Sequence, residues 1–230
     1  MIDQAWPALE RETVDGWTFR SAGGVTKRAN SVMVIGEPAD LDGVIEAAEK
    51  YYADRGLPTL FTLGGQAPAG LDGVLEERGY RLADPVLCMT GPVADTGIAH
   101  EVRIEERTWA GWLESWWSVD GRYGEGYETA ERIAGGVPAW YAAVEEGGTA
   151  VAVGRAVLQG DTVGVYCMAT LPRVRRRGLA RSVLRALVRQ GARAGARSAY
   201  LVVMAENTAA VDFYRGEGFT ESSGYHYRIK

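Results

Sequence analysis

Ala169-Thr170-Leu171-Pro172-Arg173-Val174-Arg175-Arg176-Arg177-Gly178-Leu179-Ala180 joins an apolar run to a helical pattern. The run before it, Val163 to Thr170, reads as a strand, and Pro172 stops it. The basic segment then turns through Gly178 into a helix from about Leu179 to Ala194. A strand, a tight basic turn and a helix start, in that order, gather backbone N–H groups around one point. The first four N–H groups of a helix lack partners within it, and the helix dipole adds partial positive charge there. Such a point suits an anion, most simply a phosphate or pyrophosphate.

Downstream, Ala199 to Met204 reads as a strand, Thr208 to Arg215 as a helix and Phe219 to Ile229 as a final strand pair. Upstream, Ala139 to Val144, Ala150 to Leu158 and Val163 to Thr170 form a meander, with turns at Glu145-Glu146-Gly147-Gly148 and Gln159-Gly160-Asp161. Trp109, Trp112, Leu113, Trp116 and Trp117 follow helical spacing, after a strand at Val102-Arg103-Ile104. Gly121 to Gly126 is loop-like, and Glu128 to Ala134 reads as a short helix. Gly91 to His100 is small, polar and turn-rich and reads as a linker. Before it, Gly16 to Arg20 and Ser31 to Ile35 pair as a hairpin. Pro38-Ala39-Asp40 opens a helix that ends at Gly56. Thr59 to Leu63 is a strand, Ala69 to Arg78 a helix, and Tyr80 to Thr90 one or two strands with Pro85 at an edge or bulge.

Placing Gly56 on Gly195, an offset of 139, aligns helix end, strand, helix, Gly-aromatic and strand in both halves. Gly79-Tyr80 falls on Gly218-Phe219 with no gap. This reads as one fold in tandem, 1–92 and 100–230. The polar features are missing from the first copy: Arg175, Gly178, Asn207 and Tyr214 map to Gly36, Ala39, Pro68 and Leu75. The first half is expected to keep the architecture and lack the chemistry.

The chain has 230 residues, 47% hydrophobic and 24% charged, with net charge −5. General attraction to nucleic acid or an anionic membrane is not expected. Cys88 and Cys167 read as buried reduced thiols, and His100 and His226 form no Cys/His cluster, so no metal site is expected. No apolar run is long enough for a membrane helix, and Met1 to Glu10 lacks a leader pattern, so a cytoplasmic location is expected.

Arg175-x-x-Gly178-x-Ala180, between a strand and a helix and trailed by Glu206-Asn207, Tyr214 and Gly218-Phe219, resembles the Gcn5-related N-acetyltransferase (GNAT) family. The resemblance covers about Val102 to Lys230, and the first half resembles a degenerate copy. It implies an α/β fold of two tandem GNAT-like domains, each a mixed, mostly antiparallel sheet flanked by helices. It also implies an enzyme moving an acetyl group from acetyl-CoA to a primary amine by direct attack in a ternary complex. The pyrophosphate would lie on the amides of Arg176, Arg177, Gly178, Leu179 and Ala180, with Arg175 in the motif and Arg181 beside it. The pantetheine arm would pair with Met168, Ala169 and Thr170. Asn207, an N-cap by its own sequence context, resembles the asparagine near the cofactor arm. Tyr214 resembles the tyrosine that protonates the departing thiolate. A backbone N–H near Ala169 would hold the oxyanion.

The strand Val163 to Thr170 carries no Glu or Asp, so the base is open among Glu145, Glu206, His226 and a water chain. Cys167 has no predicted His partner to make it an acyl-carrying nucleophile. Arg177, Arg181, Arg185, Arg189, Arg193 and Arg197 recur every four residues. They read as a solvated face paired to acids elsewhere, with Arg177 and Arg181 also in reach of the phosphates. Trp109, Trp112 and Trp116 are either core or an aromatic wall for the acceptor, with Trp117, Tyr123, Tyr127, Trp140 and Tyr141 near in sequence. The acceptor is a small-molecule amine or a protein amine, and a homodimer is left open. A non-catalytic acyl-CoA-binding or sensing module is the competing reading, and a structural protein that kept the fold is a third.

Overall fold

The structure, a computed structural model, describes residues 2–94, 96–121 and 125–230. Tyr123 therefore lies outside the described residues. In chain order the first half gives α1 (Ile2–Ala5), β1 (Glu10–Val14), β2 (Trp17–Ser21), β3 (Val32–Met33), α2 (Leu41–Ala53), β4 (Leu60–Leu63), α3 (Leu71–Glu77) and β5 (Arg81–Pro92). The second gives β6 (Arg103–Glu105), α4 (Ala110–Asp120), α5 (Tyr127–Ala134), β7 (Trp140–Glu146), β8 (Thr149–Gln159) and β9 (Thr162–Thr170). It continues with α6 (Leu179–Arg193), β10 (Ser198–Met204), α7 (Thr208–Gly216) and β11 (Thr220–Ile229). Short 3-10 turns lie at Lys27–Ala29 and Pro172–Val174.

Among the described residues these strands form one sheet, ordered β1-β2-β3-β4-β11-β5-β10-β9-β8-β7-β6. Most pairs are antiparallel, and β3–β4 and β9–β10 are parallel, one such pair in each half. The fold is the expected mixed α/β sheet flanked by helices. The two halves are not separated, however, because they exchange their last strands. Strand β5 leaves the first half to pair with β10, and β11 returns to pair with β4. Each of these is one long strand, so the expected final strand pair is a single strand. They meet at the centre, antiparallel, with Val86 opposite Tyr225. The 139-residue offset sends Val86 to Tyr225, so this residue faces its own repeat equivalent. Pro85 sits in a bulge, where the register skips from Tyr225–Val86 to Tyr227–Ala83.

Local chemistry explains the elements that flank the sheet. Asp40 caps α2 by accepting from the Gly43 N–H at 3.0 Å, and Val44, Ile45, Ala48 and Tyr52 pack that helix onto Trp17, Phe19 and Phe61. On α6, Val183, Leu184, Leu187 and Val188 recur at helical spacing and cover β8 and β9 from one face. From the other face α4 covers the same strands with Trp112, Leu113 and Trp116. Burying one such leucine contributes about 1.5–3 kcal/mol. Strand β1 lacks an apolar alternation to announce it. Its residues Glu10, Arg11, Glu12 and Thr13 are exposed along the sheet edge, where charge discourages further pairing.

Candidate active site

Strands β9 and β10 pair from Thr162–Ser198 to Val165–Leu201 and no further. Past that point Tyr166 to Thr170 and Val202 to Met204 diverge, and a cleft opens between them. A bulge accompanies the split. Tyr166 faces Arg155 and Ala169 faces Val153, so Cys167 and Met168 together oppose Gly154. Cys167 takes φ 53 to make the extra step. Gly154 is required there, because a Cβ on it would lie 2.6 Å from Met168 Sδ and 2.8 Å from Val183. Trp112 Nε1 donates to the Gly154 and Ala142 carbonyls at 3.2 and 3.1 Å, which braces the bulge from behind. Below the split, Gly164 leaves room for Tyr200; a Cβ would meet that ring at 2.6 Å. The Tyr200 hydroxyl donates to Gln159 Oε1 at 2.5 Å and bonds the Tyr166 hydroxyl, closing the apex.

Beyond β9 the basic turn forms as its sequence implies. Arg175 Nε donates to the Thr170 carbonyl at 3.1 Å and folds the segment back on the strand. Arg176 and Gly178 take φ 66 and 81 on either side of Arg177, curling the backbone N–H groups inward. Gly178 occupies the N-cap of α6 and supplies no side-chain bond. Among the described residues, the N–H groups of Arg176, Arg177 and Gly178 have no protein acceptor. Those of Leu179, Ala180 and Arg181 occupy the first turn, where none exists within a helix. The side chains do not share this freedom. Arg177 pairs with Glu146 at 2.7 Å, and Arg181 and Arg185 pair with Glu217 at 2.5 and 2.7 Å. Arg177, Arg181 and Arg185 of the stripe are thus the ones paired to acids. Arg185 and Arg189 also donate to the Gly97 and Thr96 carbonyls at 2.8 Å, tying the linker to α6.

The cleft encloses about 490 Å³. On the side of the basic turn it is lined by Met168, Arg175, Asn207, Ala210 and Tyr214. Asn207 caps α7 by accepting from the Ala210 N–H at 3.2 Å, as its sequence context implies. Tyr214 is 8% exposed, and burial alone pushes its phenol well above its ordinary value. It stays a neutral proton donor at any working pH. Burial pushes the Cys167 thiol to about 12, so it is not a ready nucleophile.

The Leu171 N–H donates to the Val151 carbonyl at 2.9 Å. Alternation along an antiparallel pair then turns the Ala169 N–H, opposite Val153, toward β8 as well. The Cys167–Met168 bulge, next to Ala169, interrupts that ladder.

The opposite wall of the cleft comes largely from the first half. Trp6, Thr26, Lys27, Arg28 and Asp84 line it, joined by Tyr225 and Tyr227 on the exchanged strand β11. The first half thus supplies side chains to the cleft, which repeat alignment could not show because it compares copies and is blind to their packing. Of the tryptophan helix, Trp116 and the terminal Asp120 line the cleft, Trp112 is core, and Trp109 lies under the Arg103 guanidinium at 4.3 Å, elsewhere. None of the base candidates Glu145, Glu206 and His226 lines the cleft. Glu145 accepts from Arg103 at 3.3 Å, Glu206 is exposed, and His226 donates to Asp72 at 2.8 Å. The cleft carboxylates are Asp84, paired with Lys27, and Asp120, close enough to raise the Cys167 thiol.

Loop 22–31 holds this wall in place. Asn30 Oδ1 accepts from the Ala22 and Gly24 N–H groups, both at 2.8 Å, and its Nδ2 donates to the Val25 and Thr26 carbonyls at 2.7 and 2.8 Å. Trp6 Nε1 donates to Thr26 Oγ1 at 2.9 Å, and the Trp6 ring stacks on Tyr166 at 6.2 Å. The Arg28 guanidinium lies over both rings, 5.7 and 5.8 Å from their centroids. Asn30 was readable as a loop residue; nothing in the sequence linked it or Arg28 to the distant β9.

Comparisons with known proteins agree with this geometry. Residues 2–228 match the family described as "Probable histone acetyltransferase Rv0428c C-terminal". The chain is 28% identical over 234 residues to the "Uncharacterized N-acetyltransferase YobR" of Bacillus subtilis (strain 168), covering 98% of this chain and 94% of that one. Its fold matches a GCN5-related N-acetyltransferase from Kribbella flavida with TM-score 0.73 and 17% identity, over 99% of this chain and 91% of that one. It also matches a tandem GNAT protein from the clavulanic acid biosynthesis pathway with TM-score 0.61 and 9% identity, over 82% and 69% of the two chains. The split strands, the uncapped helix start and a family match spanning nearly the whole chain lead to one conclusion: the chain belongs to the GNAT acetyltransferases, in the family described as probable histone acetyltransferase Rv0428c C-terminal.

Proposed function

We propose that this acetyltransferase moves the acetyl group of acetyl-CoA to a primary amine by direct attack in a ternary complex. The observation that carries the reading is the parting of β9 and β10 beside an α6 start whose N–H groups have no protein acceptor. Residues 176–180 receive the pyrophosphate on their backbone amides, with Gly178 permitting the close approach. The pantetheine arm runs along the open edge of β9 near Met168, Ala169 and Thr170, as an added strand would. Its far side meets Asn207 and Ala210.

The amine enters from the wall that the first half builds. Asp120, which lines the cleft, anchors it and takes a proton, because a primary amine, with a pKa of about 10, must be deprotonated to attack. The neutral amine attacks the thioester carbonyl. N–H groups at the Cys167–Met168 bulge hold the oxyanion, and Tyr214 gives its proton to the departing thiolate. The attacking nitrogen gives up its second proton, which restores the Tyr214 phenol, and an amide and free CoA result.

The test is thiol release from acetyl-CoA with a panel of amines, together with CoA binding. Amine-dependent thiol release by the native protein, reduced about 100-fold in Asp120→Asn, is expected. CoA binding without thiol release on any amine would replace this reading with a sensing module, and no CoA binding would remove both.

A further inference from the structure

We infer that the amine acceptor is a small molecule that also carries a carboxylate, and that Arg28 and Tyr225 hold that carboxylate. The inference rests on the acceptor side of the cleft being where the amine binds.

Arg28 comes from the half that lacks the cofactor turn, yet its side chain lies in the working cleft. Its surroundings are unusual for a half-buried cation. Trp6 and Tyr166 lie against the guanidinium, and Tyr225 and Tyr227 are the other groups acting on it. It forms no ion pair with any described carboxylate. Arg28 Nε and the Tyr225 hydroxyl are both buried atoms without a well-formed hydrogen bond, and the phenol lies close enough to act on the guanidinium. A guanidinium whose buried Nε lacks a well-formed bond is costly, and a bound carboxylate repays it with charge-assisted hydrogen bonds. Two orphan donors on one wall, one of them cationic, describe a receptor for a single planar anion.

The other charges in the cleft sharpen the class. Lys27 is neutralised by Asp84, and Arg175 is drawn to the Thr170 carbonyl on the cofactor side. Arg28 is thus the cation left for the acceptor, which fits one negative charge better than a phosphate dianion. Asp120 lines the same cleft and suits an ammonium group. A cation and an anion on one acceptor wall, among Trp6, Trp116 and Tyr166, match a zwitterion such as an amino acid with an apolar side chain. A lysine within a peptide presents its amine on a neutral backbone and leaves Arg28 unanswered. The Asn30 bonds and the Trp6–Thr26 bond fix the loop before any ligand arrives, so little ordering opposes binding.

The experiment compares each of the twenty amino acids with its own primary amide, and adds a lysine-containing peptide. Acetyl transfer and binding to the CoA-loaded protein are measured for the native chain, Arg28→Met and Arg28→Lys. At least one amino acid should exceed its amide by about 10- to 100-fold, the value of a charge-assisted pair. That gap should close in Arg28→Met and be partly restored in Arg28→Lys, which keeps the charge and loses the fork. The inference is overturned if no acid exceeds its amide by more than twofold, if the peptide is the better acceptor, or if the gap survives in Arg28→Met. Should Arg28→Met fail to fold, Arg28→Lys and Tyr225→Phe read the same gap. CoA affinity of the native chain, measured alongside, reports separately on the cofactor reading.

Discussion

Gly178→Asp separates the stability of the turn from its use as an anion site. At φ 81 a side chain is strained by about 1–2 kcal/mol. No clash adds to this, because a Cβ there meets only His100 Nε2, at 3.8 Å. The new carboxylate comes to rest on the orphan N–H groups of α6, and an acidic N-cap in place of Gly returns roughly a few tenths of a kcal/mol. The net cost is about 1 kcal/mol, so Tm should move by only a few degrees. Cofactor binding should not survive. The carboxylate occupies the N–H groups that the pyrophosphate needs and repels it. Each charge-assisted bond is worth about 1.5–3 kcal/mol, so losing two removes roughly 3–6 kcal/mol, a 10²- to 10⁴-fold rise in Kd. Calorimetric titration with CoA, beside thermal unfolding, reads both quantities. A folded variant whose Kd stays within threefold of the native value refutes the site.

Three further outcomes follow from the same geometry. Tyr214→Phe should lower kcat about 100-fold with CoA Kd changed less than threefold, because only the proton to the thiolate is lost; steady-state kinetics and titration check the split. Gly164→Ala should cost about 1–3 kcal/mol, or roughly 3–10 °C in Tm, since its methyl group would lie 2.6 Å from the Tyr200 ring. Asp72 is held down to about 2, chiefly by the Arg228 hydrogen bond and also by His226. Its folded value lies below its unfolded one, so its contribution is whole above about pH 4 and is lost as pH falls toward 2. The side chain is half exposed, which limits the effect to about 1 kcal/mol after screening; Asp72→Asn should flatten that part of the acid unfolding curve, and an unchanged curve would remove the assignment.

What the sequence made legible was local. Pro172, the positive-φ turn at Gly178, the cap at Asn207 and the apolar stripes of α2 and α6 each act within a few residues. The repeat offset was legible too, and it links Val86 to Tyr225, which the structure pairs. What stayed hidden was pairing over distance. Strands β5 and β11 carry the same local pattern whichever half they join, so nothing near them announces the exchange. The bulge at Cys167 uses neither Gly nor Pro, and its cause, Gly154 under Met168, lies on another strand. Nothing local in the sequence marks Arg28 as a cleft residue. Only the packing of the first half across the cleft brings it to Tyr166. The tryptophan helix was read with two roles open, and the structure divides them: Trp112 is core, while Trp116 faces the cleft.

A crystal structure with CoA bound tests the central claim most directly. The account predicts pyrophosphate oxygens within hydrogen-bond distance of the N–H groups of residues 176–180. The arm should lie between Met168 and Asn207, and the sulfur should face Tyr214, with Arg28 on the wall beyond it. CoA bound away from the β9–β10 split, or with its sulfur on the side away from Tyr214, would contradict it.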